Sequence, residues 1–460
     1  MPFVDIHSNE DYCALYYITN TTFNNVAGFD FDKPTVCILP PQFLDSGWLD
    51  SQFEDPRLND DYNIIAFDIP RCCGESVFRP SGRTDSWTDA ADLALASRAL
   101  NLPPMHILAF EGMATTCALR FAALFPEMCL SLALCNVPPE TELMWIYSAY
   151  NELIQTWCYT EDIEGYEYIA NEAVTFAFGA NTSVALRDEV IGYWSTNTYP
   201  QKRQRALTQA NLVMNRTPLP PAALQCITQP ILMIHGDANE TAPRKYAERL
   251  ATDLKAIFYP VKGGAGYLNL TPGTASIVNQ VYVKFLSRLP RTRSDPPEYP
   301  TSTQERMRDA LSMLERITGE TTMSTRDPMC PLSFCALEAK VVKTQTEMMR
   351  HYGKEQTLAF VPFNPVTKRP YRRYSERPKD EWAELEKEGT PASGRYAAAH
   401  TSVNERPLPM PQSEPILPNE GRLRKATNFN AMQSVEKQVI KGSMAKVVGS
   451  QTPTLQKLFL

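Results

Sequence analysis

Six short apolar runs limit what this chain can fold into. They are 34–40 (PTVCILP), 63–67 (NIIAF), 106–110 (HILAF), 130–135 (LSLALC), 230–235 (PILMIH) and 256–260 (AIFYP). Runs this continuous leave no wet face, so each reads as a strand covered on both sides. Helical stretches separate them. In 86–100 apolar residues recur at three- and four-residue spacing, with Ser86 in capping position three residues before Asp89. The 114–125 stretch is apolar on most sides and stops before Pro126; 242–250 and 277–286 are the later helices. Crossovers of this length between buried strands call for a mostly parallel sheet with helices on both faces, an α/β architecture.

The 138–226 segment has a different texture. It is helical in period and dense in aromatics, among them Trp145, Tyr150, Trp157, Tyr166, Phe176 and Trp194. It reads as a helical insert placed as a lid between a first half of the core (1–137) and a second half (227–290). Residues 291–360 read as a linker followed by helices at 305–317 and 337–352 with Met-rich faces. The last hundred residues, 361–460, are rich in Pro, Ser and Asn and are expected to form a largely disordered tail. That tail carries 16 basic against 10 acidic residues, a net of +6. The first 360 carry 29 against 42, a net of −13. The asymmetry allows self-association or a protein partner for the C-terminal region.

The eleven cysteines follow no stapled pattern, which points to a reducing, cytoplasmic setting. The first residues lack the basic flank and apolar run of a signal peptide, and no stretch reaches the length of a membrane span.

Four fragments in order carry a family resemblance. Residues 68–76, DIPRCCGES, follow the second run. Residues 109–113, AFEGM, follow the third and precede a helix ending at Phe125-Pro126. Residues 234–243, IHGDANETAP, follow the fifth, and 263–268, GGAGYL, follow the sixth. This layout resembles the α/β-hydrolase superfamily, in particular its lid-bearing esterase, epoxide hydrolase and haloalkane dehalogenase-like members, over roughly residues 30 to 290. The resemblance implies a nucleophile at position 111, an acid at 239 and a base at 267. The chain has Glu111, Asn239 and Tyr267 there. It also implies an oxyanion-stabilising role for backbone N–H groups near Gln42 and Gly112, although Pro40-Pro41 stands where the family has a His-Gly pair.

Serine catalysis at the elbow requires a hydroxyl and an imidazole to take its proton. Glu111 has no hydroxyl, Tyr267 is a poor base at neutral pH, and Asn239 carries no charge. Ala109 and Met113 replace the small residues that normally give the turn its room. Of the five histidines, His106 and His235 flank strands and read as structural; Cys117 reads as core, and the Cys72-Cys73 pair sits in a loop. No spacing suggests zinc or a phosphate-binding loop, and no cofactor is expected. The basic and aromatic run 368–374, KRPYRRY, is followed at once by acids, so nucleic-acid binding is not expected.

The resulting expectation is a catalytically degenerate α/β-hydrolase fold kept as a binding or scaffold module. Trp145 and Trp157 are the pocket candidates for a small apolar ligand, and the Glu111 carboxylate is expected to hydrogen-bond Tyr267 or Asn239. The alternative is a hydrolase of a small apolar ester or epoxide that uses the Glu111 carboxylate directly, as carboxylate nucleophiles do.

Overall fold

In the computed structural model, residues 2–69, 76, 83–160, 163–198 and 203–347 are described. They fall into two compact units. One comprises 2–69, 76, 83–140 and 216–337; the other comprises 141–160, 163–198, 203–215 and 338–347.

The first unit holds an eight-stranded sheet. Its strands are β1 (Phe3–His7), β2 (Tyr12–Thr19), β3 (Thr35–Leu39), β4 (Asn63–Phe67), β5 (Met105–Phe110), β6 (Cys129–Cys135), β7 (Ile231–Gly236) and β8 (Ile257–Val261), in the order β1-β2-β4-β3-β5-β6-β7-β8. The six strands from β3 onward pair in parallel. β1 and β2 form an antiparallel hairpin that extends one edge, β2 pairing antiparallel with β4. The apolar runs marked the parallel strands but not this hairpin.

The helices of both units follow in chain order: α1 (Asp50–Phe53), α2 (Pro56–Asn59), α3 (Ser86–Ala99), α4 (Gly112–Leu124), α5 (Met144–Tyr159), α6 (Ile163–Phe178), α7 (Val184–Asn197), α8 (Arg203–Met214), α9 (Pro221–Cys226), α10 (Arg244–Asp253), α11 (Pro272–Leu286) and α12 (Thr303–Thr318). Alternate strand residues divide between the two faces of the sheet, as the two-residue period requires. Cys37, Leu39, Ile65, Phe67, Ile107 and Ala109 pack with α3, α4 and α12. Val36, Ile38, Ile64, Ala66, Leu108 and Phe110 pack with Leu58 of α2 and Val278, Tyr282 and Phe285 of α11. The cap of α3 is Asp85 rather than Ser86: its Oδ1 accepts from the Thr88 N–H at 2.9 Å.

The compact body is longer than the 30–290 stretch that carries the resemblance. α12 opens with a capping box between Ser302 and Glu305 and closes at Gly319, whose φ of 76° suits a residue without a Cβ. Its Met307, Ala310, Leu311 and Leu314 are fully buried in the α3/α4 cluster. Arg306 ties it further, donating to Glu127 and to the Leu124 carbonyl. The Met-rich face of 305–317 therefore packs on the body. The second expected helix, 337–352, runs in part outside the described residues.

The second unit contains α5 to α8, within the stretch read as a helical insert. Among the described residues no helix is long and apolar enough to cross a membrane.

Candidate functional site

Glu111 is the single residue between the end of β5 and the start of α4. Its φ is 49° and that of Gly112 is 51°, so the chain turns through two successive left-handed residues. For a non-glycine residue this costs about 1–3 kcal/mol and persists only where neighbours fix it. Here they do. The Glu111 N–H donates to the Cys135 carbonyl at 3.1 Å. Its Oε1 accepts from Asn136 Nδ2 at 2.5 Å and from the Tyr267 backbone N–H at 2.6 Å.

Asn136 follows β6 directly and is itself left-handed, with φ 50°. Its Nδ2 also donates to the Ala265 carbonyl at 3.0 Å, and its Oδ1 accepts from the Gly236 N–H at 2.8 Å. One amide thus joins the ends of β5, β6 and β7 to the turn after β8. That turn approaches so closely that a Cβ on Gly236 would lie 2.3 Å from the Gly264 carbonyl oxygen, which only glycine permits. Tyr267, again left-handed at φ 55°, donates its hydroxyl to the Gln42 carbonyl at 2.8 Å.

Burial dominates the electrostatics. It pushes the Glu111 carboxyl up to about 8, against the opposing pull of Asn136 and the N–H groups of Tyr267 and Leu268. The Cys135 thiol is pushed well above its ordinary value by burial, and further by the Glu111 charge.

No family model matches the sequence, and no curated protein matches it. Solved structures do match. The enol-lactonase of Burkholderia xenovorans LB400 aligns at a TM-score of 0.50 and 15% identity, over 62% of this chain and 100% of its own. The bromoperoxidase of Bacillus anthracis aligns at 0.50 and 17%, over 62% and 99%. An esterase from Exiguobacterium antarcticum aligns at 0.50 and 16%, over 62% and 100%. The fold is that of the α/β-hydrolases.

Glu111 stands on a sharp, strained strand-to-helix turn, the kind of turn that carries the nucleophile in enzymes of the α/β-hydrolase fold. The structure brings Tyr267 to Glu111, but by its backbone N–H and not its phenol. Asn239 is not brought there. Its Oδ1 accepts from Thr241 Oγ1 at 3.0 Å and from the Ala242 N–H at 2.9 Å, closing its own loop ahead of α10. The expected Asn239–Glu111 bond is therefore replaced by a local one, because a short amide reaches the backbone three residues on.

The described histidines are engaged elsewhere. His106 Nδ1 pairs with Ser131 Oγ at 2.8 Å at the start of β5, roughly 16 Å along the strand from Glu111. His235 Nε2 donates to the Ala242 carbonyl at 2.7 Å, with its ring stacked on Phe258. His7 packs on Tyr12 in the edge hairpin. His351 and His400 lie outside the described residues, as do Cys72, Cys73 and the 368–374 run. Cys117 is fully buried in the core, as expected. Ser76 is buried too, its Oγ accepting from the Tyr16 N–H and donating to the Asp68 carbonyl.

Gln42 and Gly112 do come together. A Cβ on Gly112 would lie 2.2 Å from Gln42 Oε1, so the Gln42 amide rests on the first turn of α4. Trp157 is buried in the second unit's own aromatic cluster, edge-on to Tyr166 and Trp194, and donates its indole N–H to the Thr198 carbonyl at 2.6 Å. Trp145 is half-buried against Phe176. Sequence reasoning missed Asn136. The available signal was an Asn directly after an apolar run, the residue type that best tolerates a left-handed backbone.

Proposed function

We propose that this α/β-hydrolase fold serves as a binding module without hydrolytic chemistry at the elbow. One observation carries the reading: the elbow side chain is a carboxyl group whose Oε1 accepts from Asn136 after β6 and from the Tyr267 N–H in the turn after β8, while Asn136 Oδ1 holds the end of β7 through the Gly236 N–H. Around it, the phenol at the base position is bound to the Gln42 carbonyl, and the described histidines have other partners. The expected result is no turnover of p-nitrophenyl butyrate and no labelling by a fluorophosphonate. Turnover that disappears in Glu111→Gln would overturn the proposal.

A second reading is favoured by the names of the structural neighbours, which include a lactonase and an esterase. In it the Glu111 carboxylate attacks a small apolar ester or epoxide. That step needs the ionised form, which burial disfavours at neutral pH. Peptide mass spectrometry after incubation with substrate would find a covalent adduct on Glu111 under this reading and none under the first. Beyond the ligand, the basic 361–460 segment supports a role in holding an acidic protein partner. A chain truncated after residue 360 is expected to stay folded and lose that partner in a pulldown. The unstapled spacing of the cysteines in the sequence supports a reducing, cytoplasmic setting.

A further inference from the structure

We propose that Asp85, Arg120 and Arg216 form a buried clasp on the places where the chain leaves and re-enters the sheet-bearing unit, so that these places let go together and not one at a time. The proposal does not depend on what the elbow binds.

Among the described residues, the chain crosses the boundary of that unit at 140/141, 215/216 and 337/338. The three crossings are far apart in sequence. On the inner side of each, a buried charged side chain takes hold of the backbone. At the first, the Pro139 carbonyl accepts from Arg216 Nε at 3.0 Å, so the exit is bonded directly to the re-entry. At the second, the Thr217 carbonyl accepts from Arg120 Nη2 at 2.8 Å. At the third, the Ala336 N–H donates to Asp85 Oδ2 at 2.8 Å. The other Asp85 oxygen accepts from the Thr88 N–H, so one carboxylate fixes both the start of α3 and a chain root. Arg120 lies over the Trp87 ring, its Cζ 4.9 Å from the centroid, which sets the guanidinium beside the first turn of α3. There the charges of Asp85 and Arg120 favour one another. The three side chains keep only 8%, 3% and 6% exposure, so water screens them little.

The clasp holds without being saturated. Arg120 Nε is buried and has no hydrogen-bond partner among the described residues. Burial disfavours the charged forms of both Asp85 and Arg120, and the neighbouring Arg216 charge opposes that of Arg120. A buried charged group of this kind returns little more than it costs to desolvate, and its best-attested use is to select one arrangement over others. A partly satisfied network is also where the cost of a lost partner is relieved by local opening to water, ahead of global unfolding.

The test uses the full chain and two variants, each read at a root it does not touch. Arg120→Lys keeps a cation near Trp87 and shortens the reach to Thr217. Asp85→Asn keeps an acceptor for Thr88 and removes the one that Ala336 uses. Hydrogen exchange read by mass spectrometry follows peptides spanning 136–142, 215–219 and 334–338, with β5 and β6 as the reference. Trypsin cleavage after Arg216, which is buried in the wild type, is the second readout. Each variant is expected to speed exchange at all three roots by about tenfold, while β5 and β6 stay protected. Arg120→Lys should therefore loosen 334–338, Asp85→Asn should loosen 215–219, and cleavage after Arg216 should quicken in both. The double variant should add little to the larger single effect, as expected for coupled groups. The clasp is refuted if each variant loosens only its own root, if the two effects add, if neither changes exchange, or if the roots open only in step with β5 and β6. Should Asp85→Asn fail to fold, Arg120→Lys read at 334–338 decides alone.

Discussion

The two ends of β5 each bury a titratable side chain and treat it differently. At the start, His106 follows a register shift between Met105 and His106, stays within the strand and meets Ser131 across to β6. At the end, Glu111 sits on a left-handed backbone and is bonded to β6 and to the turn after β8. Burial discharges both, lowering His106 to about 4 and raising Glu111 to about 8. A shifted titration alone therefore does not mark a site. What separates the two ends is backbone strain at Glu111, held in place by bonds from several elements.

The sharpest way to break this comparison is to remove the amide that holds the strained end. Asn136→Gly tolerates the positive φ, so its effect reports the lost side-chain bonds to Glu111, Gly236 and Ala265. Denaturant unfolding should show a loss of about 4 kcal/mol. A loss below about 1 kcal/mol would mean that the clamp does not matter.

Next come the opposed pH dependences. A carboxyl whose folded value lies above its unfolded one adds stability that is complete below about 4.5 and disappears as pH rises to about 8. Glu111→Gln should therefore unfold at higher denaturant than wild type at pH 9, by about 3 kcal/mol, with little difference near pH 5. His106 behaves in the reverse sense. Its folded value lies below 6.5, so its contribution is complete above about 6.5 and is lost as pH falls toward about 4. His106→Asn should flatten that acid limb, gaining about 2 kcal/mol at pH 4. Parallel slopes for the two variants would dissolve the distinction. The smallest effect belongs to Tyr267→Phe, which loses the hydroxyl bond to the Gln42 carbonyl and should cost about 1 kcal/mol at any pH. A larger loss would place the phenol, rather than the backbone N–H, at the centre of the turn.

The parallel core was readable because β3 to β8 and the helices between them write their burial into unbroken apolar runs. The β1–β2 hairpin was not: β1 is a five-residue edge strand interrupted by Asp5, and the apolar run of β2 joins the sheet antiparallel, outside the strand-helix alternation. At the site, the positions of Glu111 and Tyr267 followed from their fragments, but their bonding did not. Tyr267 acts through a backbone N–H that every residue but proline possesses, so side-chain chemistry pointed to the wrong atom. Asn239 was expected beside Glu111 because the family's acid stands there, yet its amide closes a local loop.

The packing of α12 sets a limit on how short this chain can be. A segment that sits outside the resemblance nonetheless fills the same apolar stack as α3 and α4. Cut at residue 290, the body would bare Phe125, whose ring Arg306 covers, and neighbouring apolar side chains to water. The body therefore leans on α12 for its own solubility, and a shorter chain could dispense with the helix only if that whole flank were rebuilt in polar residues.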